Sequence, residues 1–291
     1  MIKSIKIIFL LLIFCSFLWA DILDINLGNG KTTHLYYEVK GEGQPFIIYN
    51  TSTQGYFEAI FETRPGYKRI YIDPPGIGES GSDDWIMNAD DCLQVVLEAI
   101  DRLVKKQKFL VAGFSYFGYQ ARGIALKRKE SIKGMILICP VIIPEFIDRN
   151  RTIFELSYID SSFINNLDKD DKETVSSLVI QNRLSFETVK KYSRNEVKMN
   201  AEFWQKIKTN NYAFSFDPDE KISSFNKPVL VFVGLQDNIV GFKDAVKLFD
   251  NYHRLSFVAL DYASHDLPFE QNIIFSNHVS HWLDQLKFNS K

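Results

Sequence analysis

The sequence predicts an α/β fold, a mostly parallel sheet with antiparallel strands at its N-terminal edge and a helical insertion before its last two strands. Three observations predict it. Runs 46–49, 69–72, 109–112 and 134–139 are apolar on both faces, the pattern of buried parallel strands. Helical patterns of crossover length lie between them. Upstream, residues 22–40 alternate in period two around Asn29-Gly30, which marks a hairpin of two antiparallel edge strands.

Each element follows in chain order. After the hairpin, Gly41-Glu42-Gly43-Gln44-Pro45 leads into the first buried strand. The clearest helix spans 88–106: Asn88 can cap it, Asp90 and Asp91 suit its positive end, and Leu93, Val96, Leu97, Ile100, Leu103 and Val104 form one stripe. Strand 109–112 runs through Gly113-Phe114-Ser115-Tyr116-Phe117-Gly118 into a helix reaching Lys127. From 143 to 226 the alternation stops and the chain becomes charged, Asn-rich and helical, with Asp168-Lys169-Asp170-Asp171-Lys172-Glu173 marking a solvated helix start. Strand 229–233, a helix near 243–252, strand 255–260 and a last helix at 270–286 complete the sheet. The expected organisation is a signal segment at 1–20, a core formed by 21–142 and 227–291, and a helical lid at 143–226.

Composition narrows the function. With 34 Lys+Arg against 36 Asp+Glu, the chain has a formal charge of −2 and no electrostatic footprint for nucleic acid. Hydrophobic residues at 46% and charged residues at 24% exclude a disordered or multi-span chain. At the N-terminus, Lys3 and Lys6 precede a stretch, 7–19, that is apolar apart from Cys15 and Ser16, and Leu18-Trp19-Ala20 offers cleavage before Asp21. Export to the periplasm or the exterior is expected, leaving a chain of charge −4 once two lysines are removed. Membrane anchoring is the alternative, through an uncleaved segment or through acylation of Cys15 in Leu12-Ile13-Phe14-Cys15. Cys92 and Cys139 are expected as small buried hydrophobes, since two cysteines make no disulfide framework.

The chemistry sits at strand ends. A serine on a sharp strand-to-helix turn exposes its hydroxyl in front of a helix N-terminus, and Ser115 occupies such a turn. Serine needs a base, and the base needs a group to hold its tautomer. Asp237 follows strand 229–233, and His265 follows strand 255–260. In an open α/β sheet these carboxyl ends converge on one crevice, so Ser115, Asp237 and His265 are the expected catalytic triad. His34, His253, His278 and His281 lack that setting, no residue set has metal-ligand spacing, and the chemistry calls for no cofactor.

These motifs together resemble the α/β-hydrolase family from Ile22 to Leu286. The resemblance rests on the Gly41 to Pro45 turn, Asp73-Pro74-Pro75-Gly76-Ile77-Gly78-Glu79-Ser80, the Ser115 turn, Gly234-Leu235-Gln236-Asp237, and Ser264-His265. It implies a serine hydrolase with a helical lid, similar to the esterase, proline-iminopeptidase and carbon–carbon bond hydrolase branches. It also implies an oxyanion hole made by the amides of Tyr116 and Ser52. Two departures stand out. Asn50-Thr51-Ser52 replaces the family's His-Gly-x, and Phe117 occupies the second small position of G-x-S-x-G. A β-branched Thr51 is restricted if that position requires positive φ, which makes impaired or altered catalysis an expectation to test. Ester-type hydrolysis of a small carbonyl substrate is the first reading. The alternatives are a ligand-binding protein on a hydrolase scaffold and an aminopeptidase whose lid binds the amine through Glu145, Glu155 or Glu196.

Aromatic residues are abundant, with 24 Phe, 13 Tyr and 4 Trp, and many fall in 143–226, among them Phe146, Phe154, Tyr158, Phe203, Trp204 and Phe214. Most are expected to form the insertion's own core, with a minority lining a site for an apolar or aromatic small molecule.

Overall fold

A computed structural model describes residues 18–49, 51–194, 197–219, 222 and 225–288. The period-two segment forms the antiparallel strands β1 (Leu18–Asn26) and β2 (Thr32–Lys40). Gly28, Asn29 and Gly30 all adopt positive φ in the connecting turn, which glycine and asparagine tolerate best. Strand β1 begins three residues before the expected cleavage point, and Trp19 meets Tyr37 edge-on at 6.1 Å between ring centres. Residues 1–17, including Cys15, lie outside the described residues.

The apolar runs become β3 (Gln44–Tyr49), β4 (Tyr67–Ile72), β5 (Phe109–Phe114) and β6 (Ile132–Ile138). In the segment that follows, β7 (Tyr158–Ile159) and β8 (Ile180–Gln181) make a separate two-stranded pair. The main sheet resumes with β9 (Val229–Gly234) and β10 (Leu255–Leu260), and its order is β1-β2-β4-β3-β5-β6-β9-β10. Every pair from β4 onward is parallel. The chain moves outward from β3 to β4, then returns to place β5 on the other side of β3. This reversal opens a crevice at the carboxyl ends of β3 and β5.

Helices α1 (Gln54–Phe61), α2 (Ala89–Val104) and α3 (Tyr116–Lys127) serve the first half of the sheet. As the sequence predicts, the Asn88 side chain caps α2 by accepting from the Asp91 amide. Helix α1, which no motif in the sequence marks, buries Tyr56, Phe57, Ile60 and Phe61 against β3 and the C-terminal helix. The segment 143–226 contains α4 (Ser161–Ile164), α5 (Lys169–Ser176), α6 (Arg183–Tyr192) and α7 (Ala201–Asn211). Asp168 caps α5 through the Asp171 amide, the role its charged cluster implies. After β9 the expected helix near 243–252 is a 3-10 turn, Asp244–Lys247, followed by the short α8 (Leu248–Asn251). The last helix divides into α9 (Leu267–Glu270) and α10 (Asn272–Phe288).

The insertion's rings are not mainly its own core. Phe203, Trp204, Ile207 and Phe214 join the principal core, where Trp204 meets Tyr116 and Phe117 edge-on and Phe214 stacks on Tyr119 at 4.4 Å. The insertion's separate cluster is small and mostly aliphatic, built on Val175, Leu178 and Val189. Eighty-odd residues in short helices enclose too little volume for so many rings, so the rings complete the surface of α3 instead. Phe146 and Tyr158 are half exposed.

A buried ion pair secures the insertion's far end. Arg122 on α3 is 1% exposed and bonds Asp219 Oδ2 at 2.7 Å, while the Tyr252 hydroxyl donates to Asp219 Oδ1 at 2.9 Å. Breaking one half of such a pair leaves a buried charge uncompensated. Arg122→Ala is therefore expected to cost about 3–5 kcal/mol in urea unfolding, whereas Arg122→Met combined with Asp219→Leu recovers most of that loss.

Candidate active site

Ser115 stands between β5 and α3 with φ 55° and ψ −124°. A non-glycine residue rarely accepts this conformation, and here the surrounding bonds hold it: the Ser115 amide donates to the Ile138 carbonyl, and its own carbonyl accepts from the Gly118 and Val141 amides. Gly113 is required for the same reason, because a Cβ there would overlap the Phe117 carbonyl. The departure at Phe117 is harmless to the turn. Its side chain points into the core against Tyr49, 5.1 Å between centres, and the close approach to Pro140 falls instead on Gly118.

The three residues that the sequence singles out meet. His265 Nε2 lies 2.9 Å from Ser115 Oγ, and Nδ1 lies 2.8 Å from Asp237 Oδ2. Asp237 is 1% exposed and sits in the turn after β9, where the Ile239 and Val240 amides donate to Oδ1 at 2.8 and 2.9 Å. Burial works to raise the Asp237 carboxyl, but the neighbouring His265 and the two amides outweigh it and hold the group below the usual aspartate range. The carboxylate accepts from Nδ1–H, which leaves Nε2 as the acceptor facing the serine hydroxyl. Phe114, just before Ser115, packs its ring 4.8 Å from the imidazole.

Tyr116 opens α3, so its amide has no intrahelical acceptor and faces the same end of the sheet as Ser115. Ser52 lies in the 3-10 turn Thr51–Thr53 after β3. Thr51 opens that 3-10 turn, whose helical backbone takes negative φ, so the restriction expected of a β-branched residue does not arise. Asn50 and Glu196 lie outside the described residues. Glu145 and Glu155 are exposed and line no part of the cavity beside Phe114 and Asp266.

That cavity, about 350 Å³, lies beside Phe114 and Asp266, the chain neighbours of Ser115 and His265. Tyr56, Phe114 and Phe269 supply its rings, all from outside the insertion, so the insertion's aromatic residues do not line it as expected. What the insertion contributes is Ser193, Arg194, Val197, Lys198 and Met199. Arg194 is anchored through Nη1 to Glu38 Oε1 and Gln54 Oε1, each at 2.9 Å. Although burial raises the Glu38 carboxyl, the Arg194 and Gln54 bonds bring it below the usual glutamate range.

Cys139, Asp237 and His265 place ligand-type atoms within 4.8 Å of one another. Burial drives the Cys139 thiol well above its usual range, so it stays protonated, and both histidine nitrogens are already engaged. Such a set is poorly suited to a metal ion. Cys92 and Cys139 are both buried and unpaired, as small core hydrophobes.

A strained serine at a strand-to-helix turn, bonded to a histidine that a buried aspartate orients, on this sheet order, defines an α/β hydrolase. A family model for serine aminopeptidases (S33) matches residues 57–272, and the chain belongs to this family of α/β hydrolases. The chain is similar to an α/β superfamily hydrolase from Oenococcus oeni, with 26% identity and a TM-score of 0.77 over 87% of this chain and 96% of that one. It shares the fold of a thermophilic esterase from Thermogutta terrifontis, at 18% identity and TM-score 0.68 over 92% and 99% of the two chains. A lipase described as putative, from Acinetobacter baumannii, aligns at 17% identity and TM-score 0.66 over 93% of each. No curated protein matches the sequence.

Two further residues at the site carry no sequence signal of their own. Arg194 is one cation among many in a charged segment, and Glu270 reads only as the start of a helix. Because Asp237 is more acidic in the fold than in the unfolded chain, its ionisation stabilises the fold above the ordinary aspartate range, and that stabilisation is lost as pH falls through its lowered value. Asp237→Asn is expected to flip the imidazole tautomer and lower kcat by about 10³–10⁴ on any substrate the protein turns over, measured at pH 7.5.

Proposed function

We propose that the protein hydrolyses carboxylic esters through a serine acyl-enzyme. In this reading His265 takes the Ser115 proton, Ser115 Oγ attacks the carbonyl carbon, and the Tyr116 and Ser52 amides stabilise the oxyanion. The imidazolium, steadied by Asp237, then gives its proton to the leaving alkoxide. Water, deprotonated by the same imidazole, attacks the acyl carbon; the carboxylic acid leaves, and Ser115 regains its proton. The continuous hydrogen-bond path from Ser115 Oγ through His265 to Asp237 carries this proposal.

The cavity supports an ester over an aminopeptide substrate. Its insertion side presents Lys198 and the Glu38-paired Arg194, with Asp266 the single carboxylate in the lining, and this excess of cations disfavours the free ammonium an aminopeptidase must hold. The rings of Tyr56, Phe114 and Phe269, with Val197 and Met199, favour a small acyl group of apolar or aromatic character. A binding protein without turnover has less support, because Thr51 belongs to a helical turn and the Phe117 ring packs on Tyr49.

We further propose export, with release after Ala20 or retention at a membrane as its two outcomes. Strand β1 runs in the same direction as the parallel strands, so its start lies at the edge of the sheet opposite the crevice. An N-terminal anchor would thus turn the crevice away from the bilayer.

Two experiments test these proposals. A fluorophosphonate probe should label the protein but not Ser115→Ala, and among p-nitrophenyl esters of graded chain length and aminoacyl anilides the esters should be cleaved, with kcat/KM falling by about 10³ or more in the variant. Equal labelling of both proteins would overturn the nucleophile assignment, and preference for the anilides would favour the aminopeptidase. Mass spectrometry of the exported protein should find Asp21 as its first residue; an intact terminus or an acylated Cys15 in the membrane fraction would indicate anchoring instead.

A further inference from the structure

Glu270 ends α9, five residues beyond His265, and its carboxylate joins two distant parts of the chain. The Ser264 amide donates to Oε2 at 2.6 Å and the Ser264 hydroxyl to Oε1 at 3.0 Å. From the insertion, the Val179 amide donates to Oε1 at 2.6 Å. Ser264 Oγ in turn accepts from the Asp266 amide at 3.1 Å. Both neighbours of His265 therefore hang on Glu270, Ser264 directly and Asp266 through Ser264. Phe269 packs at the same junction against Val175, Leu178 and Val189 of the insertion.

We propose that Glu270 is a positioning residue that fixes the His265 loop and ties the placement of the imidazole to the docking of the insertion at Val179. The proposal rests on the catalytic reading of His265 given above. Three donors converge on two oxygens, an arrangement that suits a group able only to accept. A glutamine isostere would turn an NH₂ toward at least one of these donors and displace the loop.

The energetics separate positioning from simple structural support. Burial is the main influence on the Glu270 carboxyl and pushes it up to about 7, Asp266 adds to the rise, and the bonds from Ser264 and Val179 oppose it. Asp266 is itself raised by burial, against the influence of His265, and the buried Cys139 thiol lies behind the same loop. The folded protein thus holds this proton more tightly than a carboxyl of ordinary value 4.5, so between those two values stability declines as pH rises. Glutamine removes that decline. Because glutamine also gives up an acceptor to one of the three donors, Tm at pH 8 is read beside kcat, which separates lost stability from misplacement of His265.

The experiment compares the unaltered protein with Glu270→Gln and, as a milder change, Ser264→Ala. Three quantities are read: Tm at pH 8, the low-field NMR signal of the His265 Nδ1 proton together with Val179 amide exchange, and kcat and KM on the best ester. In Glu270→Gln the imidazole signal should shift or broaden, Val179 should exchange faster, and kcat should drop about tenfold or more with KM within about twofold. Ser264→Ala should move the imidazole signal, Val179 exchange and kcat in the same direction by less. An unmoved imidazole signal in Glu270→Gln overturns the proposal, as does a kcat that falls only in step with Tm. Should the unaltered protein cleave no ester, the function proposed above fails, and the NMR signal still decides whether Glu270 positions His265.

Discussion

The backbone at Ser115 is the constraint on which the rest of the site depends. A φ of 55° with ψ −124° projects the hydroxyl clear of the sheet at the mouth of α3, and it persists because the Ile138, Gly118 and Val141 backbones bond it from three sides. That geometry admits no side chain at Gly113 and requires β6 alongside β5 to supply the Ile138 carbonyl. With the serine so placed, only residues that leave the carboxyl ends of nearby strands can reach it. The turns after β9 and β10 supply Asp237 and His265.

The insertion is fastened around this centre by polar contacts of several kinds. Its first residues dock on the aspartate turn, where the Thr152 hydroxyl donates to the Asp237 carbonyl at 2.8 Å and Arg149 reaches the Ile239 carbonyl. Farther along, Val179 meets Glu270, Arg194 meets Glu38, and Asp219 meets Arg122. Apolar packing supplies the remainder through Trp204 and Phe214, which complete the face of α3 directly behind Ser115. The inserted segment thus supplies one side of the cavity, through Ser193, Arg194, Val197, Lys198 and Met199, and part of the packing on α3, through Trp204 and Phe214.

Much of this was legible in the sequence because the signals are local. Apolar runs mark strands wherever both faces are buried, and the capping of α2 and α5 by Asn88 and Asp168 requires only a side chain three residues from the amide it accepts. The proposed triad was legible for a related reason: each member follows a strand, buried in the case of β5 and β9 and a half-exposed edge strand in the case of β10, so chain order already places all three at the carboxyl end of the sheet. Other features depend on distant partners. The choice of Trp204 and Phe214 between the insertion's core and the main core is one of volume, and nothing in their own neighbourhood states it. Arg194 and Glu270 are ordinary charged residues until Glu38, 156 residues away, and Val179, 91 residues away, are brought against them.

The sequence by itself determined the class of fold, the order of its strands and the burial of β3 to β6 and β9, and it singled out Ser115, Asp237 and His265 as the residues proposed to act, because periodicity and position relative to strand ends are properties of short stretches of chain. Only the tertiary structure decided that Thr51 belongs to a helical turn and that Phe117 packs into the core, which residues wall the cavity, and how the histidine loop is held. Each of these depends on backbone dihedrals and on contacts between segments far apart in the chain, and such contacts exist only once the sheet has closed and the insertion has packed against it.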